Sequence, residues 1–221
     1  LLESQMIPTV KLDRIYRQSQ ESGITQLAHS IRNDHYQEHL FFDYKDIHFQ
    51  TCASYDIVNY VKVLVSKAMK EGYDANDIQV LAPMYNGVAG IDALNDCLQE
   101  LLNPHDEYKN ELRVGKRIYR EGDKILQLKN RIDDNVFNGD IGILEEICYK
   151  DNFEFLADTL IVNFDGVYVE YTANDFYTIT HAYCMSIHKS QGNEFKIVIM
   201  PVLKDYYIML KKNLIYTGLT R

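Results

Sequence analysis

Residues 187–195 (IHKSQGNEF), followed by the apolar run 197–200 (IVIM), carry the pattern that decides how this chain folds. The apolar run is typical of a buried strand. The residues before it place cationic and hydroxyl donors beside a predicted backbone turn, which suits a phosphate group. Residues 216–221 (YTGLTR) end an amphipathic stretch with Arg221, whose guanidinium stays charged at neutral pH. An arginine that arrives from elsewhere in the chain suits the charge that develops in phosphoryl transfer.

Helix and strand patterns alternate through the first half of the chain. A helix is predicted after Ser22, which can cap it, and a second one over about residues 55–70, where apolar side chains follow the helical period. Residues 77–82 predict a buried strand, and a third helix begins near Ile91 and ends before Asn103. Strands that alternate with helices of this length predict a parallel sheet in an α/β fold.

The pattern changes between residues 114 and 175, where short strands follow one another without helices. Turn signals stand at Asn138-Gly139 and Asp165-Gly166. These strands are predicted over residues 124–129, 141–148, 160–164 and 167–171. The sequence therefore predicts a small antiparallel barrel or sheet inserted into the α/β part, which resumes with a strand over residues 178–183.

The composition is that of a globular protein, with 46% apolar and 25% charged residues and a net charge of −9. The acidic balance argues mildly against nucleic acid, although it does not exclude a local basic track. No apolar run reaches the length of a membrane crossing and no signal peptide is recognisable, which predicts a cytoplasmic protein without a membrane partner. The scattered residues Cys52, Cys97, Cys148 and Cys184 favour buried free thiols over disulfides or a zinc site.

Several short motifs, in the same order, resemble motifs IV, V and VI of superfamily 1 helicases. The resemblance is closest to RecD-like DNA helicases of the exodeoxyribonuclease V alpha-chain type and extends over nearly the whole chain. Its motifs are residues 16–18 (YRQ), 81–87 (LAPMYNG), 90–95 (GIDALN), 136–142 (VFNGDIG), 187–195 and 216–221.

The resemblance implies the second RecA-like lobe of such a helicase, over residues 1–113 and 176–221. Residues 114–175 are similar to the SH3-like barrel of these proteins, called domain 2B. The sequence contains neither a Gly-x-x-x-x-Gly-Lys-Ser/Thr run nor an Asp-Glu pair at the end of an apolar strand. ATP and Mg²⁺ would therefore be held mainly by an upstream RecA-like lobe, and we expect these 221 residues alone to be inactive as an ATPase.

The nucleotide-binding residues follow from the resemblance. Arg17 would reach the γ-phosphate, and Tyr16 would pack on the adenine ring. Arg221 would act as an arginine finger on ATP held by the other lobe. On the turn, Gln191, Gly192 and Glu194 would face the nucleotide, with the glutamate accepting hydrogen bonds from the ribose hydroxyls. The turn is expected to lead into a short helix, so that its N–H groups can meet a phosphate.

Single-stranded DNA is the polymer that the resemblance implies, with movement in the 5′ to 3′ direction. Hydroxyl and cationic donors suit phosphodiester contacts. The residues assigned to DNA on this turn are Ser186, His188, Lys189 and Ser190. A loop of Pro83, Met84 and Tyr85 would face the DNA as well, with the tyrosine available for base stacking.

Other interpretations of the same residues remain open. The chain fits the helicase portion of a conjugative relaxase, which shares these motifs, or a non-enzymatic docking module of a DNA-repair complex. RecB/RecC-like subunits are possible partners of the full protein in repair and recombination. His35 and His39 stand four residues apart but lack a third ligand at a recognisable spacing, so the sequence predicts no metal site.

Overall fold

The structure, a computed structural model, describes residues 22–35, 44–150 and 156–221 of the 221-residue chain. These residues belong to two compact units. One contains the described residues up to Gln50, and the other contains residues 51–219 together with Arg221. The predicted nucleotide residues Tyr16 and Arg17, like His39, lie outside the described ranges.

The first unit is built around α1 (Gly23–Arg32), which begins where the sequence predicts it. The side chain of Ser22 accepts a hydrogen bond from the Thr25 N–H and so caps the helix. The carboxylate of Asp46 accepts hydrogen bonds from the Ser22 hydroxyl and the Gly23 N–H. Although burial raises the pKa of Asp46, these hydrogen bonds lower it below its ordinary value. The N-terminal donors of the helix therefore have partners.

The second unit contains three α-helices and ten strands within the described residues. In chain order they are α2 (Ile57–Lys70), β1 (Ile78–Ala82), α3 (Ile91–Leu102), β2 (Glu111–Val114), β3 (Arg117–Arg120), β4 (Lys124–Gln127), β5 (Ile141–Cys148), β6 (Thr159–Phe164), β7 (Val167–Tyr171), β8 (Ile179–His181), β9 (Cys184–Ser186), β10 (Ile197–Ile199) and α4 (Lys212–Leu219). Single turns of 3₁₀-helix occupy Ser54–Asp56, Phe176–Thr178 and Lys204–Tyr206.

Three parallel strands form the first sheet, in the order β10-β1-β9. Every residue of the central strand β1 is buried, as expected for a parallel strand covered on both faces. Residues of α2 and α3 pack into the same apolar core as β1, including Val65, Val80 and Leu94. The predicted parallel sheet, its central strand and its helices are confirmed.

Five antiparallel strands form the second sheet, in the order β7-β6-β5-β4-β8. It has its own apolar core, which includes Tyr119, Leu144, Leu160 and Tyr171. The strands β5 and β7 have the predicted bounds, and β4 and β6 differ from them by two residues or fewer. The sequence pattern does not predict the separate hairpin of β2 and β3, which turns at Gly115.

The predicted strand over residues 178–183 is two strands in the structure. The first, β8, pairs with β4 in the antiparallel sheet, whereas β9 pairs with β1 in the parallel sheet. Between them the Ala182 N–H donates to the Lys124 carbonyl, and the Tyr183 carbonyl accepts from the Val80 N–H. The chain thus passes from one sheet to the other within two residues, and the prediction of a single strand is wrong.

A buried carboxylate, Asp123, joins the two sheets at this crossing. Its side-chain oxygens accept hydrogen bonds from Gln99 at 2.7 Å and Asn103 at 2.8 Å, both near the end of α3. They also accept from the Tyr183 hydroxyl at 2.9 Å, and the His181 ring lies 3.1 Å away. Burial raises the pKa of Asp123, but its interaction with His181 and the hydrogen bonds from the Arg120 N–H and Asn103 outweigh this and lower the pKa below its usual range.

Next to Asp123 in the chain, Lys124, the first residue of β4, makes a second set of buried polar contacts. The Lys124 ammonium donates to the Ala75 and Ile78 carbonyls and to the Gln79 side chain, at 3.1–3.3 Å. The Gln79 amide in turn donates to the Ala182 carbonyl at 3.0 Å. Burial lowers the pKa of Lys124 to about 8. The lysine therefore connects β4 to the start of β1 and to the loop that precedes it.

All four cysteines are free, with Cys148 and Cys184 buried and Cys52 exposed. Free thiols are confirmed, although the predicted burial is wrong for Cys52. None of the helices in the described ranges has the length and apolar character that a bilayer crossing requires.

Removing the buried carboxylate should destabilise the chain. Asp123→Ala leaves several buried donors without an acceptor, and we expect it to lower the free energy of unfolding by about 3 kcal/mol in urea denaturation. The folded-state pKa of Asp123 is lowered, so its contribution is present above the unfolded pKa and disappears as the pH falls through the folded pKa. The exposed Asp133→Ala is the control; an equal loss in both variants would contradict the prediction.

The burial of Lys124 predicts a pH dependence of the same sense, but at alkaline pH. Its folded-state pKa of about 8 lies below its ordinary value of 10.5, so the unfolded chain binds more protons between these values. The free energy of unfolding of the wild type should therefore rise, relative to Lys124→Met, across this interval. Urea titrations of both proteins at several pH values measure the difference, and a constant difference would refute the burial effect.

Candidate functional site

The predicted site lies at one edge of the parallel sheet, where β1 and β9 end side by side. Ala82 and Ser186 are register partners at the carboxyl ends of these strands. The β1–α3 loop (residues 83–90) and the β9–β10 loop (residues 187–196) therefore leave the sheet at the same edge. Ligand sites of open α/β sheets collect at this edge. The structure thus brings the two groups of predicted DNA-facing residues to one place.

The β9–β10 loop consists of two consecutive turns and contains no helix. The N–H groups of Lys189 and Ser190 donate to the Ser186 carbonyl, and the Asn193 N–H donates to the Ser190 carbonyl. Gly192 then takes a positive φ of 99°, which ends the turns. The predicted short helix is wrong, because these N–H groups are used within the loop and β10 follows directly. Anion binding at a helix N-terminus does not apply here.

Two of the predicted DNA-contacting hydroxyls, one at the end of β9 and one in the loop, take part in the hydrogen bonds of these turns. Ser190 is fully buried, and its hydroxyl donates to the Ile187 carbonyl at 2.8 Å. The Ser186 hydroxyl accepts from the Lys189 N–H at 3.3 Å, and Ser186 is buried as well. Both serines therefore stabilise the turn, and the DNA contacts that the resemblance implies for them stay a prediction.

The surface of the loop carries the remaining predicted residues. His188, Gln191, Gly192 and Glu194 are exposed, and Lys189 is half-buried. Burial lowers the pKa of Lys189 from its ordinary value. These side chains form the polar surface of a turn whose interior is fixed by its own hydrogen bonds.

In the β1–α3 loop, Met84 and Tyr85 are exposed at its surface, whereas Pro83 is buried. The Met84 carbonyl accepts from the Ile91 N–H at 2.9 Å, so the loop folds back on the start of α3. A Cβ at Gly90 would lie 2.3 Å from the Tyr85 carbonyl oxygen, so only glycine fits. Pro83 shapes the loop from within, and the two residues after it present apolar and aromatic surface.

Arg221 lies against the far end of the β9–β10 loop. The Phe195 N–H donates to the Arg221 carbonyl at 3.0 Å, and the guanidinium Nε donates to the Thr217 carbonyl at 3.1 Å. A Cβ at Gly218 would lie 2.8 Å from the Met200 sulfur, which shows how closely α4 packs beside β10. The structure therefore places the backbone of Arg221 beside Phe195, the residue that follows Glu194.

The antiparallel sheet adds two residues to this site to which the sequence analysis assigned no role. In the β4–β5 loop (residues 128–140), Asn138 accepts a 2.6 Å hydrogen bond from the Lys189 ammonium. The Gly139 carbonyl accepts from the Asn193 side chain at 3.1 Å. The Asn-Gly turn and its motif were visible in the sequence, but their contact with the β9–β10 loop was not.

The described residues contain no group of three side chains that could hold a metal ion. Carboxylate, amide and guanidinium groups at Glu194, Gln191 and Arg221 do suit the ribose and phosphate groups of a nucleotide.

A parallel sheet with a separate antiparallel sheet inserted between β1 and β9 defines the class, a RecA-like lobe that carries an SH3-like domain. Residues 94–164 match the ATP-dependent RecD-like DNA helicase SH3 domain, and residues 181–221 match the UvrD-like helicase C-terminal domain. The chain belongs to the RecD-like superfamily 1 helicases and corresponds to their C-terminal part.

Individual relatives agree with this family. The chain is similar to the ATP-dependent RecD2 DNA helicase of Deinococcus radiodurans, with 31% identity over 99% of the chain and 28% of the relative. It is also similar to the RecBCD enzyme subunit RecD of Buchnera aphidicola subsp. Acyrthosiphon pisum, with 27% identity over 95% of the chain and 37% of the relative. The chain thus spans less than two fifths of these relatives' length.

Solved structures support the fold. A Pif1 helicase from Bacteroides in complex with ADP-AlF3 and ssDNA superposes with a TM-score of 0.56 at 18% identity, over 96% of this chain and 49% of that one. Bacteroides Pif1 bound to ssDNA gives a TM-score of 0.55 at 15% identity, over the same shares of both chains. At these identities the likeness concerns the fold alone.

Proposed function

We propose that this chain is the C-terminal motor lobe of an ATP-dependent helicase that moves 5′ to 3′ along single-stranded DNA. One observation carries the proposal: the β9–β10 loop joins a surface of exposed His188 and half-buried Lys189 at one end to Arg221 at the other. The names of the relatives, an ATP-dependent RecD2 DNA helicase and RecBCD subunits, support the assignment. A RecD-like protein of this kind acts in DNA repair or recombination, alone or with RecB/RecC-like subunits.

The nucleotide would lie between this lobe and another RecA-like lobe that holds ATP and Mg²⁺. In this arrangement Arg221 supplies positive charge to the phosphoryl group being transferred, and Arg17 reaches the γ-phosphate. Tyr16 packs on the adenine, and Gln191, Gly192 and Glu194 face the ribose side. The guanidinium fork suits this role, because it matches phosphate oxygens bidentately and keeps its charge.

DNA would bind at the edge where β1 and β9 end. There Lys189 and His188 contact phosphodiester oxygens, and Tyr85 and Met84 offer stacking and apolar surface to the bases. We leave Ser186, Ser190 and Pro83 out of this set because all three are buried. A contact to phosphates positions the strand without reading its sequence, as a motor that steps along any sequence requires.

Coupling of ATP hydrolysis to movement along DNA would follow from the short connection between the nucleotide-facing and the DNA-facing residues. Residues on the DNA side and on the nucleotide side belong to one loop, whose turns are held by its own hydrogen bonds. Closure of the lobes around ATP, followed by release after hydrolysis, would therefore shift the phosphate-contacting residues as a unit.

The arginine assignment predicts a defect in turnover. In the full-length protein, Arg221→Ala should lower kcat for ATP hydrolysis by about 10³–10⁵ while single-stranded DNA binding is retained, because transition-state charge is lost. Arg221→Lys keeps the charge without the fork and should recover only part of the rate.

The exposed Lys204→Ala is the matched control, and the 221-residue chain alone, which should show no turnover, gives the baseline. Near-normal DNA-stimulated ATPase activity of Arg221→Ala would remove the arginine from the catalytic site. Turnover by the isolated chain would refute the proposal that ATP is held mainly by another lobe.

The DNA assignment predicts a change in salt dependence. Replacing His188 and Lys189 with alanine in the full-length protein should weaken single-stranded DNA binding similarly for all sequences. The slope of log K against log salt should fall by about 0.7 for each charged contact removed, and His188 counts only if it is protonated. DNA-independent ATPase activity should change much less. Lys116→Ala, an exposed lysine in the β2–β3 turn, is the control. An unchanged slope with a collapsed ATPase would show that the two sides of the loop are reversed.

A further inference from the structure

The SH3-like domain holds the side chain of Lys189 through Asn138. The Lys189 ammonium donates to the Asn138 amide oxygen at 2.6 Å, and four residues further on the Asn193 amide donates to the Gly139 carbonyl at 3.1 Å. A Cβ at Gly139 would lie 3.5 Å from the Lys189 carbonyl oxygen. The turn at residues 137–140 therefore contacts the β9–β10 loop at both its side chains and its backbone.

The turn itself is fixed from the side of the antiparallel sheet. The Asn138 N–H donates to the Asn130 side chain at 2.9 Å, and the Phe137 N–H donates to the Asp140 carboxylate at 2.7 Å. The Gly139 N–H donates to the carbonyl of Gln127, which is a buried residue of β4. The backbone that carries Asn138 is thus held in place, and its short side chain presents the acceptor oxygen to the longer and more flexible lysine.

The chemistry of the acceptor matters for a lysine that meets phosphates. An amide oxygen is neutral, so it occupies one of the three ammonium N–H donors and leaves the positive charge unpaired. A carboxylate at the same place would form an ion pair and cancel that charge. Holding the long side chain in one orientation also removes rotamer freedom that binding would otherwise have to remove.

We propose that Asn138 is a positioning residue for DNA binding: it aims the Lys189 ammonium at the DNA phosphate without neutralising its charge. The SH3-like domain thereby sets how firmly the RecA-like lobe holds the strand. This inference rests on the proposed function, since it assumes that Lys189 contacts the DNA backbone.

The charge and the orientation of Lys189 can be tested separately in the full-length protein. Binding of a fluorescein-labelled oligothymidylate is titrated by anisotropy at several salt concentrations. Asn138→Asp should lower the salt slope by about 0.7, as Lys189→Ala does, because the new carboxylate pairs with the ammonium. Asn138→Ala should weaken binding about fivefold and leave the slope unchanged, because the charge remains but its orientation is lost. Asn138→Ser, which keeps a neutral oxygen, should recover part of this loss.

Two controls distinguish positioning from general effects. Asn135→Asp adds the same charge to an exposed position of the same β4–β5 loop and should keep the wild-type slope. In the double variant of Asn138→Asp and Lys189→Ala, binding should be no weaker than in Lys189→Ala alone, because the two changes act on one contact.

The outcomes separate the inference from the proposed function. If Lys189→Ala lowers the slope but Asn138→Asp does not, the inference is overturned and the DNA contact of Lys189 stands. If Asn135→Asp lowers the slope as much as Asn138→Asp, the effect is one of overall charge, and the inference is again overturned. If Lys189→Ala itself leaves the slope unchanged, the DNA contact proposed for that lysine fails.

Discussion

The buried carboxylate of Asp123 is the constraint on which the arrangement of the second unit depends. Four side chains from the end of α3 and from the β8–β9 crossing surround it, and all the residues involved are buried. An unpaired charge at this depth would be strongly unfavourable, so the sheets can pack only where all these partners meet. One ionised group thereby fixes the position of the SH3-like domain against the lobe that carries the site.

The functional surface depends on the same crossing. After Tyr183 contacts Asp123, the chain forms β9 and then the loop that bears Lys189 and Glu194. The SH3-like domain also contacts this loop through the hydrogen bond between Asn138 and Lys189. The domain therefore contacts both the strand that leads into the loop and the loop itself, so its placement bears directly on the geometry of the site.

Sequence patterns predicted the elements whose signal is local. The helical spacing of apolar residues in α3 and the apolar–polar alternation along β5 and β7 indicate which face of each element is buried. Residues that are close together in the sequence carry this information. The division between β8 and β9 was missed because it depends on pairing with β4 and β1, which are distant in sequence. Within the site, the exposed His188 and the turn itself were predictable. The burial of Ser190 depends on how its loop folds on itself, and the hydrogen bond between Lys189 and Asn138 joins two loops; no short motif records either contact.

The crossing from one sheet to the other also determines an order of folding during synthesis. Gln79, in the central strand β1, has its partner Tyr183 104 residues further along the chain. Until the ribosome has released β9 and β10, β1 lacks both of its partners in the described parallel sheet, whereas β4, β5, β6 and β7 can already pair among themselves. The SH3-like domain can therefore fold first, and the parallel sheet can then assemble against it. The loop that contains Lys189 folds last.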